Sequence, residues 1–481
     1  MNQLSLRQAA RICAAVCTVA VPVSLQAQAT LAEAQTPARY ARSIEFSRTL
    51  IEALMEVSGT PGMSAAVGID GAIVWAQGFG YADVEHRVPV WEDTKFRIGS
   101  VSKPLTAAAV GLLVEQGKLD LDVPVQQYVP TFPRKRWPIT TRQLAGHIAG
   151  IRHYRGDETL SAVRYATVAE GLAIFQDDTL LFEPGDRFSY SSYGWNLVSA
   201  VVERASGQEF LSYMQQNVFD PLEMRHTVAD HTDSIIAHRT RFYERNRDGH
   251  VVNAPYVDNS YKWAGGGFLS TPSDLVRFGF AHFGETLLRS ETIAELWTPQ
   301  MTNAGESTGY GIGWFLAMEG DVVVRAGHGG GSIGGTAGFE TRPPQRAAAA
   351  ILGNLTQAPT GGLIVALITE AFLEPEALAS TGTGPDISGQ FECVVMAGSQ
   401  ETVRGTMTIG GVPAEYWGYI TWNNDTVDRV VYSASSPGRT RLVTIDAGAN
   451  LLDLQFTDVD EAGLRGTWRS QGSGAVTCDH R

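Results

Sequence analysis

The chain has 481 residues, 44% of them hydrophobic and 18% charged, enough for a large core and more than one domain. Its formal net charge is -14 and no basic stripe stands out, which argues against a nucleic-acid partner. Beyond the first 29 residues no apolar run approaches the roughly 20 residues that a membrane-crossing helix needs.

The first segment, residues 1–29, opens with Arg7 and Arg11, continues as an apolar run from Ile12 to Leu25 and ends in Ala27-Gln28-Ala29. A basic start, a short apolar stretch and an A-x-A site predict a secretory signal peptide cleaved after Ala29, and therefore a periplasmic or secreted protein. Cleavage removes Cys13 and Cys17 and leaves Cys393 and Cys478. Two cysteines in an exported chain read as one disulfide, the alternative being two buried thiols. Such a bridge closes a loop of about 85 residues and contributes roughly 4 to 5 kcal/mol in the chain-entropy model.

A polar helix is expected at about Ser43 to Val57. In "GMSAAVGIDGAIVWAQGFG", Asp70-Gly71 between apolar runs predicts a hairpin. A helix follows in "FRIGSVSKPLTAAAVGLLVEQG", residues 96–117. From Leu121 to Glu209 short helical patterns alternate with Pro/Gly punctuation, and "FLSYMQQNVFDPLEM" reads as a helix that breaks at Pro221. "GYGIGWFL", "DVVVRAGH" and "RAAAAILGNL" read as strands, and "GGLIVALITEAFL" as a closing helix. Strands at both ends with helices between predict an α+β domain over residues 40–375, its sheet gathering the first and last segments around a largely helical insertion. Residues 376–385 lie in a Pro/Gly/Ser/Thr-rich linker. Beyond it, runs such as "LLDLQFTDV" alternate, with Leu452, Leu454 and Phe456 on one face and Asp453, Gln455 and Thr457 on the other. Residues 386–481 are therefore expected to form a small antiparallel sheet or barrel, its first and last strands tied by the disulfide.

A serine hydroxyl is a weak nucleophile until a neighbouring base takes its proton. Residues three apart on a helix share a face, so Ser100 can meet Lys103 whereas Ser102, directly before it, cannot. Gly99 permits a tight entry that sets Ser100 at the helix N-terminus, and burial is needed to keep Lys103 neutral. Pro104 predicts an irregular first turn. Taken alone, S-x-x-K also fits a helix cap followed by a solvated lysine.

Two further stretches decide between these readings: Tyr190-Ser191-Ser192 in "FEPGDRFSYSSYGWNLVSAVVE", and His328-Gly329-Gly330 in "RAGHGGGSIGGTAGF". With these three motifs in this order, residues 40 to 372 resemble the serine β-lactamase and penicillin-binding-protein superfamily. Within it the chain looks most like the class C β-lactamase-related hydrolases, which include D-amino-acid peptidases, carboxylesterases and the mitochondrial serine β-lactamase-like protein. "GHIAGIRHY", "IAHRTRFYER" and "DNSYKWAGGGFLSTPSDLVRFG" are similar to the last of these. The resemblance implies a β-lactamase/transpeptidase-like fold, and lipocalin-like barrels appended in some relatives offer an analogy for the C-terminal domain. It implies Ser100 as nucleophile, Lys103 as base, and Tyr190 as a proton carrier whose pKa nearby cations lower. The backbone N–H groups of Ser100 and Gly331 would hold the oxyanion, and Ser192, His328, Gly329 and Gly330 would face the substrate. No cofactor and no metal is implied.

The sequence departs from the β-lactamase pattern at two places. Ser192 stands where an asparagine is usual, and His328-Gly329-Gly330 where Lys-Thr-Gly is usual, so a fixed cation and a hydroxyl for a substrate carboxylate are missing. Peptides, amides or esters are thus the expected substrates of an acyl-enzyme hydrolase. The alternatives are a β-lactamase proper and a non-catalytic sensing or structural protein. Two G-x-S-x-G matches, "GESTG" and "GGSIG", lack the strand-to-helix context of a nucleophile elbow. His226, His231 and His238 fit no zinc spacing, His147 reads as packed, and Lys262 and Trp263 as lining the cleft or in the core.

Overall fold

The computed structural model describes residues 38–379, 384–413, 415–460, 462–470 and 472–481. Residues 1–29, read above as a signal peptide, lie outside the described residues, as does the middle of the expected linker.

The first helix, Ala41–Ser58, forms because Phe46, Leu50, Ile51 and Leu54 repeat at helical spacing and share a buried face; Gly59, with φ 60°, ends it. Strands Gly62–Ile69 and Ala72–Asp83 follow as a hairpin. Asp70 and Gly71 both take positive φ, 50° and 82°, as a type I′ turn requires. Strand Gly62–Ile69 also pairs with Ala347–Gly353, from Met63 opposite Gly353 to Ile69 opposite Ala347. Seven antiparallel strands result, in the order Val88–Pro89, Ala72–Asp83, Gly62–Ile69, Ala347–Gly353, Gly335–Arg342, Val322–Ser332 and Phe315–Glu319.

The apolar runs of the central strands are buried on both faces. Helices Ala41–Ser58 and Leu363–Leu373 cover one face, where Phe46, Leu50, Ile351, Leu367 and Ile368 share a core. On the other face, Val276 of helix Pro272–Phe280 packs on Ala66, Ala76 and Ala348. The helical insertion surrounds helix Ser102–Glu115, buried almost all round from Ser102 to Gly111. An apolar helix without a polar face belongs at the centre of a core. "FLSYMQQNVFDPLEM" departs from a plain helix: Phe210–Met214 is α-helical and Gln215–Phe219 continues as a π turn. In "GYGIGWFL" only the end is extended, because Gly309 and Gly313 take positive φ and the strand begins at Phe315.

The C-terminal strands, Gly389–Ala397 through Ser473–His480, form a closed eight-stranded barrel in chain order. Its alternating inward residues, among them Phe391, Met407, Ile420, Leu442, Leu454, Phe456 and Val476, fill the interior. Cys393 and Cys478 face each other across the closing strand pair and are joined as a disulfide. The barrel docks on the first domain through Val443, Ile445 and Leu451, which enter the core of helix Ala41–Ser58. Beside them Glu370 accepts from Arg342 at 3.2 Å and twice from Arg469, at 2.8 and 2.6 Å. The α+β domain with an appended antiparallel barrel is the fold class read from the sequence.

Candidate active site

Ser100 sits in a short 3-10 turn, Gly99–Val101, that runs into helix Ser102–Glu115. Pro104 is tolerated because the N–H groups of a helix's first turn need no intrahelical partner. Gly99 has φ 49°, and a Cβ there would lie 2.7 Å from the Gly331 nitrogen. The missing Cβ of Gly99 therefore lets the turn and strand Val322–Ser332 touch backbone to backbone.

Lys103 Nζ lies 2.9 Å from Ser100 Oγ, 3.1 Å from Ser192 Oγ and 2.7 Å from the Gly265 carbonyl oxygen. Its side chain has no exposed surface. Burial, and secondarily the Lys262 charge, hold its pKa well below the ordinary lysine value. A neutral amine has two hydrogens and one lone pair. The Gly265 carbonyl, which can only accept, and Ser192 Oγ take the hydrogens, leaving the lone pair for the Ser100 hydroxyl. Ser102 Oγ turns elsewhere and accepts from the Phe268 N–H at 3.4 Å.

Ser191 caps helix Ser192–Ser206: its Oγ accepts from the Gly194 N–H at 3.0 Å and donates to the Arg152 carbonyl at 2.7 Å. The cap aims Tyr190 and Ser192 at Lys103. The Tyr190 hydroxyl is hydrogen-bonded to the side chains of Ser100 and Ser192, and Lys103 Nζ stands 4.8 Å from its ring centre. The expectation of a lowered tyrosine pKa is overturned. Burial pushes Tyr190 up, outweighing its hydrogen bonds, so the phenol keeps its proton. Lys103 is then the free base of the pair.

Strand Phe315–Glu319 pairs with Val322–Ser332 only as far as Gly327, which leaves the edge from His328 to Ser332 open. A Cβ on Gly330 would fall 1.9 Å from the Ile98 carbonyl oxygen and 3.1 Å from the Ser100 nitrogen. At Gly331 it would meet nothing within 4 Å, so space remains beside that strand position. The His328 ring is turned into the protein. Its Nε2 accepts from the Tyr310 hydroxyl at 3.0 Å, and its Nδ1 lies 2.5 Å from the Gly329 carbonyl, to which it donates. Burial, then Lys103, drive its pKa down to about 3. His328 is neutral at every physiological pH, and both ring nitrogens are satisfied.

Five groups outside the catalytic set read from the sequence surround it. The Ser191 and Ser192 N–H groups donate to Nδ1 of His147 and His153, at 3.0 and 3.1 Å. The Tyr154 hydroxyl bonds to Ser192, Gly265 receives Lys103, and Lys262 is buried over Tyr154. "GHIAGIRHY" and "KWAGGG" were visible in the sequence, but their convergence on Ser192 is tertiary. Of the two decoy serines, Ser332 lies within a strand and Ser307 makes an isolated bridge, so neither stands on an elbow. His226 faces Lys95, His231 packs on Trp263 and His238 pairs with Asp93. Among the described residues, one group has metal-ligand spacing, Asp83, Glu85 and His86, at the surface and outside this site.

Residues 48–405 match the family described as Beta-lactamase. The chain is 38% identical over 354 residues to the Homo sapiens serine beta-lactamase-like protein LACTB, mitochondrial, covering 55% of this chain and 64% of that protein. The fold is similar to the octameric penicillin-binding protein homologue from Pyrococcus abyssi, with TM-score 0.59 and 21% identity, covering 91% of this chain and 100% of that one. It is also similar to the D-stereospecific amidohydrolase from Streptomyces sp., with TM-score 0.57 and 24% identity over 68% of this chain and 98% of that one. This chain belongs to the family of serine β-lactamases and penicillin-binding proteins.

Proposed function

We propose that the protein is an exported serine hydrolase that acts on peptide, amide or ester substrates through an acyl-enzyme on Ser100. The observation that carries this reading is the 2.9 Å approach of Ser100 Oγ to a fully buried lysine amine. Ser100 Oγ attacks the substrate carbonyl while its proton passes to Lys103 Nζ. The proton then moves to the leaving nitrogen or oxygen, directly or through the Tyr190 hydroxyl, and the C–N or C–O bond breaks. The backbone N–H groups of Ser100 and Gly331 hold the oxyanion. Water, giving up a proton to the same base, releases the acid and restores Ser100. The disulfide supports export, because such bonds persist in oxidising compartments.

Peptides, amides or esters are favoured over penicillins because the sheet edge offers a neutral, satisfied His328 where a β-lactamase carries a cation, so a penicillin's carboxylate finds no charge partner on that edge. Intact-mass spectrometry of wild type and Ser100→Ala with a fluorophosphonate and a penicillin tests the reading. A fluorophosphonate adduct on the wild type alone is expected. Absence of an adduct on both proteins would transfer support to a sensing or structural role. Rapid Ser100-dependent nitrocefin turnover would instead make it a β-lactamase proper.

A further inference from the structure

The mechanism above does not use Lys262, yet this residue lies close enough for its charge to act on Lys103 and His153 beside Ser192. It is 4% exposed and lies in the 3-10 turn Ser260–Lys262, directly before the helix that carries Gly265. Its ammonium stands 5.7 Å from the Tyr154 ring centre and 5.4 Å from that of Tyr261. Tyr154 in turn bonds to Ser192, which bonds to Lys103. Lys262 is thus one aromatic ring away from the catalytic network.

A cation withdrawn from water needs an anion, and the acids nearby are committed elsewhere. Asp230 Oδ2 takes Arg97 at 2.6 Å and Asn259 at 2.9 Å, while its Oδ1 faces Arg239 at 3.5 Å. Glu158 takes Arg152 at 2.8 Å and the Tyr193 hydroxyl at 2.9 Å. Among the described residues, no hydrogen bond or ion pair is made to the Lys262 ammonium. The charges that act on it are Arg97, which repels, and Asp230, which attracts; burial is the larger effect, and together they bring its pKa down to about 7. Arriving negative charge would shift that balance toward the ammonium form.

The sheet edge supplies no cation, since His328 is neutral and bonded on both nitrogens. We infer that Lys262 is a specificity residue that holds a carboxylate carried by the substrate beside Ser100, taking over the role that the sheet edge has lost. The inference rests on the acyl-enzyme reading and narrows it to substrates with an acid group near the scissile bond.

Two fluorophosphonates, alike except that one ends in a carboxylate and the other in a carboxamide, test it with spacers of two to five methylenes. Labelling rates at Ser100 are read by intact mass for the wild type, Lys262→Met and Lys262→Arg. The wild type is expected to favour the carboxylate probe. In Lys262→Met the ratio of the two rates should fall at least about tenfold, and Lys262→Arg should restore part of it. Equal slowing of both probes would reduce Lys262 to an electrostatic neighbour of Lys103 and overturn the inference, as would an unchanged ratio. If Lys262→Met does not fold, protection of the wild type decides: butyrate should slow the carboxamide probe and butyramide should not. Equal protection by both overturns the inference. Failure of both probes to label wild-type Ser100 would remove the acyl-enzyme reading itself.

Discussion

The Gly265 carbonyl receives Lys103 Nζ at 2.7 Å, the shortest of the three contacts that amine makes. Because a carbonyl cannot donate, this bond fixes one amine hydrogen away from Ser100 and orients the lone pair. Lys103→Arg, which cannot give up its proton in this pH range, is expected to lower fluorophosphonate labelling by about 10²- to 10⁴-fold, and Lys103→Met similarly. Stopped-time intact-mass measurements check it; a loss under about threefold would remove Lys103 as the base.

The pH dependence follows from three groups. Lys103, held well below its ordinary value, must be neutral to act, so the labelling rate should rise with pH through that lowered pKa and then level off. Tyr190, pushed upward, keeps its proton past about pH 10, so no alkaline fall is expected below that. His328, near 3, contributes no inflection between pH 5 and 8. A rate profile over pH 4 to 10 tests all three. The sign for stability is also defined. Lys103 and Lys262 have lowered pKa values when folded, so between each folded value and the unfolded lysine pKa of about 10.4 the unfolded chain binds more protons. Their contribution therefore rises with pH across that window, for Lys262 from about 7 upward, and is flat below it.

Gly330→Ala places a methyl 1.9 Å from the Ile98 carbonyl oxygen, between two backbone segments that cannot rotate aside. The strand edge must move away from Ser100, and labelling is expected to fall by about 10²- to 10³-fold, the loss that follows when an oxyanion donor is displaced. Circular dichroism should still report a folded protein.

Cys393→Ser removes a bond that spans 85 residues and joins directly opposed strand positions. The barrel should lose roughly 2 to 5 kcal/mol, seen as a separate or earlier thermal transition, while labelling of Ser100 in the first domain persists. Coincident loss of labelling and barrel unfolding would show that the two domains melt together.

Glu370→Gln removes the charge that Arg342 and Arg469 share. Burial pushes the Glu370 pKa up, but the two arginines more than offset it and leave it lowered. A lowered carboxylate stabilises fully above its unfolded pKa of about 4.3 and loses that contribution as pH falls through the folded value. The variant should cost about 1 to 3 kcal/mol at pH 7 and lose less than the wild type on acidification below about pH 4. Urea unfolding at pH 7 and pH 3 measures both.

The sequence displayed whatever is set by short-range geometry. Asp70-Gly71 marks a turn because both residues tolerate positive φ. Ser100 and Lys103 meet because three residues span one helical turn. Leu452, Leu454 and Phe456 point into the barrel because strand side chains alternate. The alternation also set Asp453 on the outer face, but not that its neighbours there are Arg469 and Arg441, which depends on the register of three barrel strands.

What remained hidden is set by burial or by distant convergence. Nothing local to Tyr190 says that its hydroxyl lies deep enough to be pushed upward. His153 and Lys262 are over one hundred positions apart, yet both act on the surroundings of Ser192. "GYGIGWFL" carries a strand's composition, and two glycines with left-handed backbone override it. Composition records preference, whereas the φ a position must adopt depends on what packs around it.

The pairing of Gly62–Ile69 with Ala347–Gly353 also sets a schedule for the chain. Roughly 280 residues separate the two strands, so at about 5 to 20 residues per second the ribosome needs roughly 15 to 60 s to supply the second after the first. Throughout that interval the opening hairpin has no central partner and one open edge. A nascent chain kept extended, or held by a chaperone, until residue 353 has emerged avoids spending that time with an unpaired apolar strand in water.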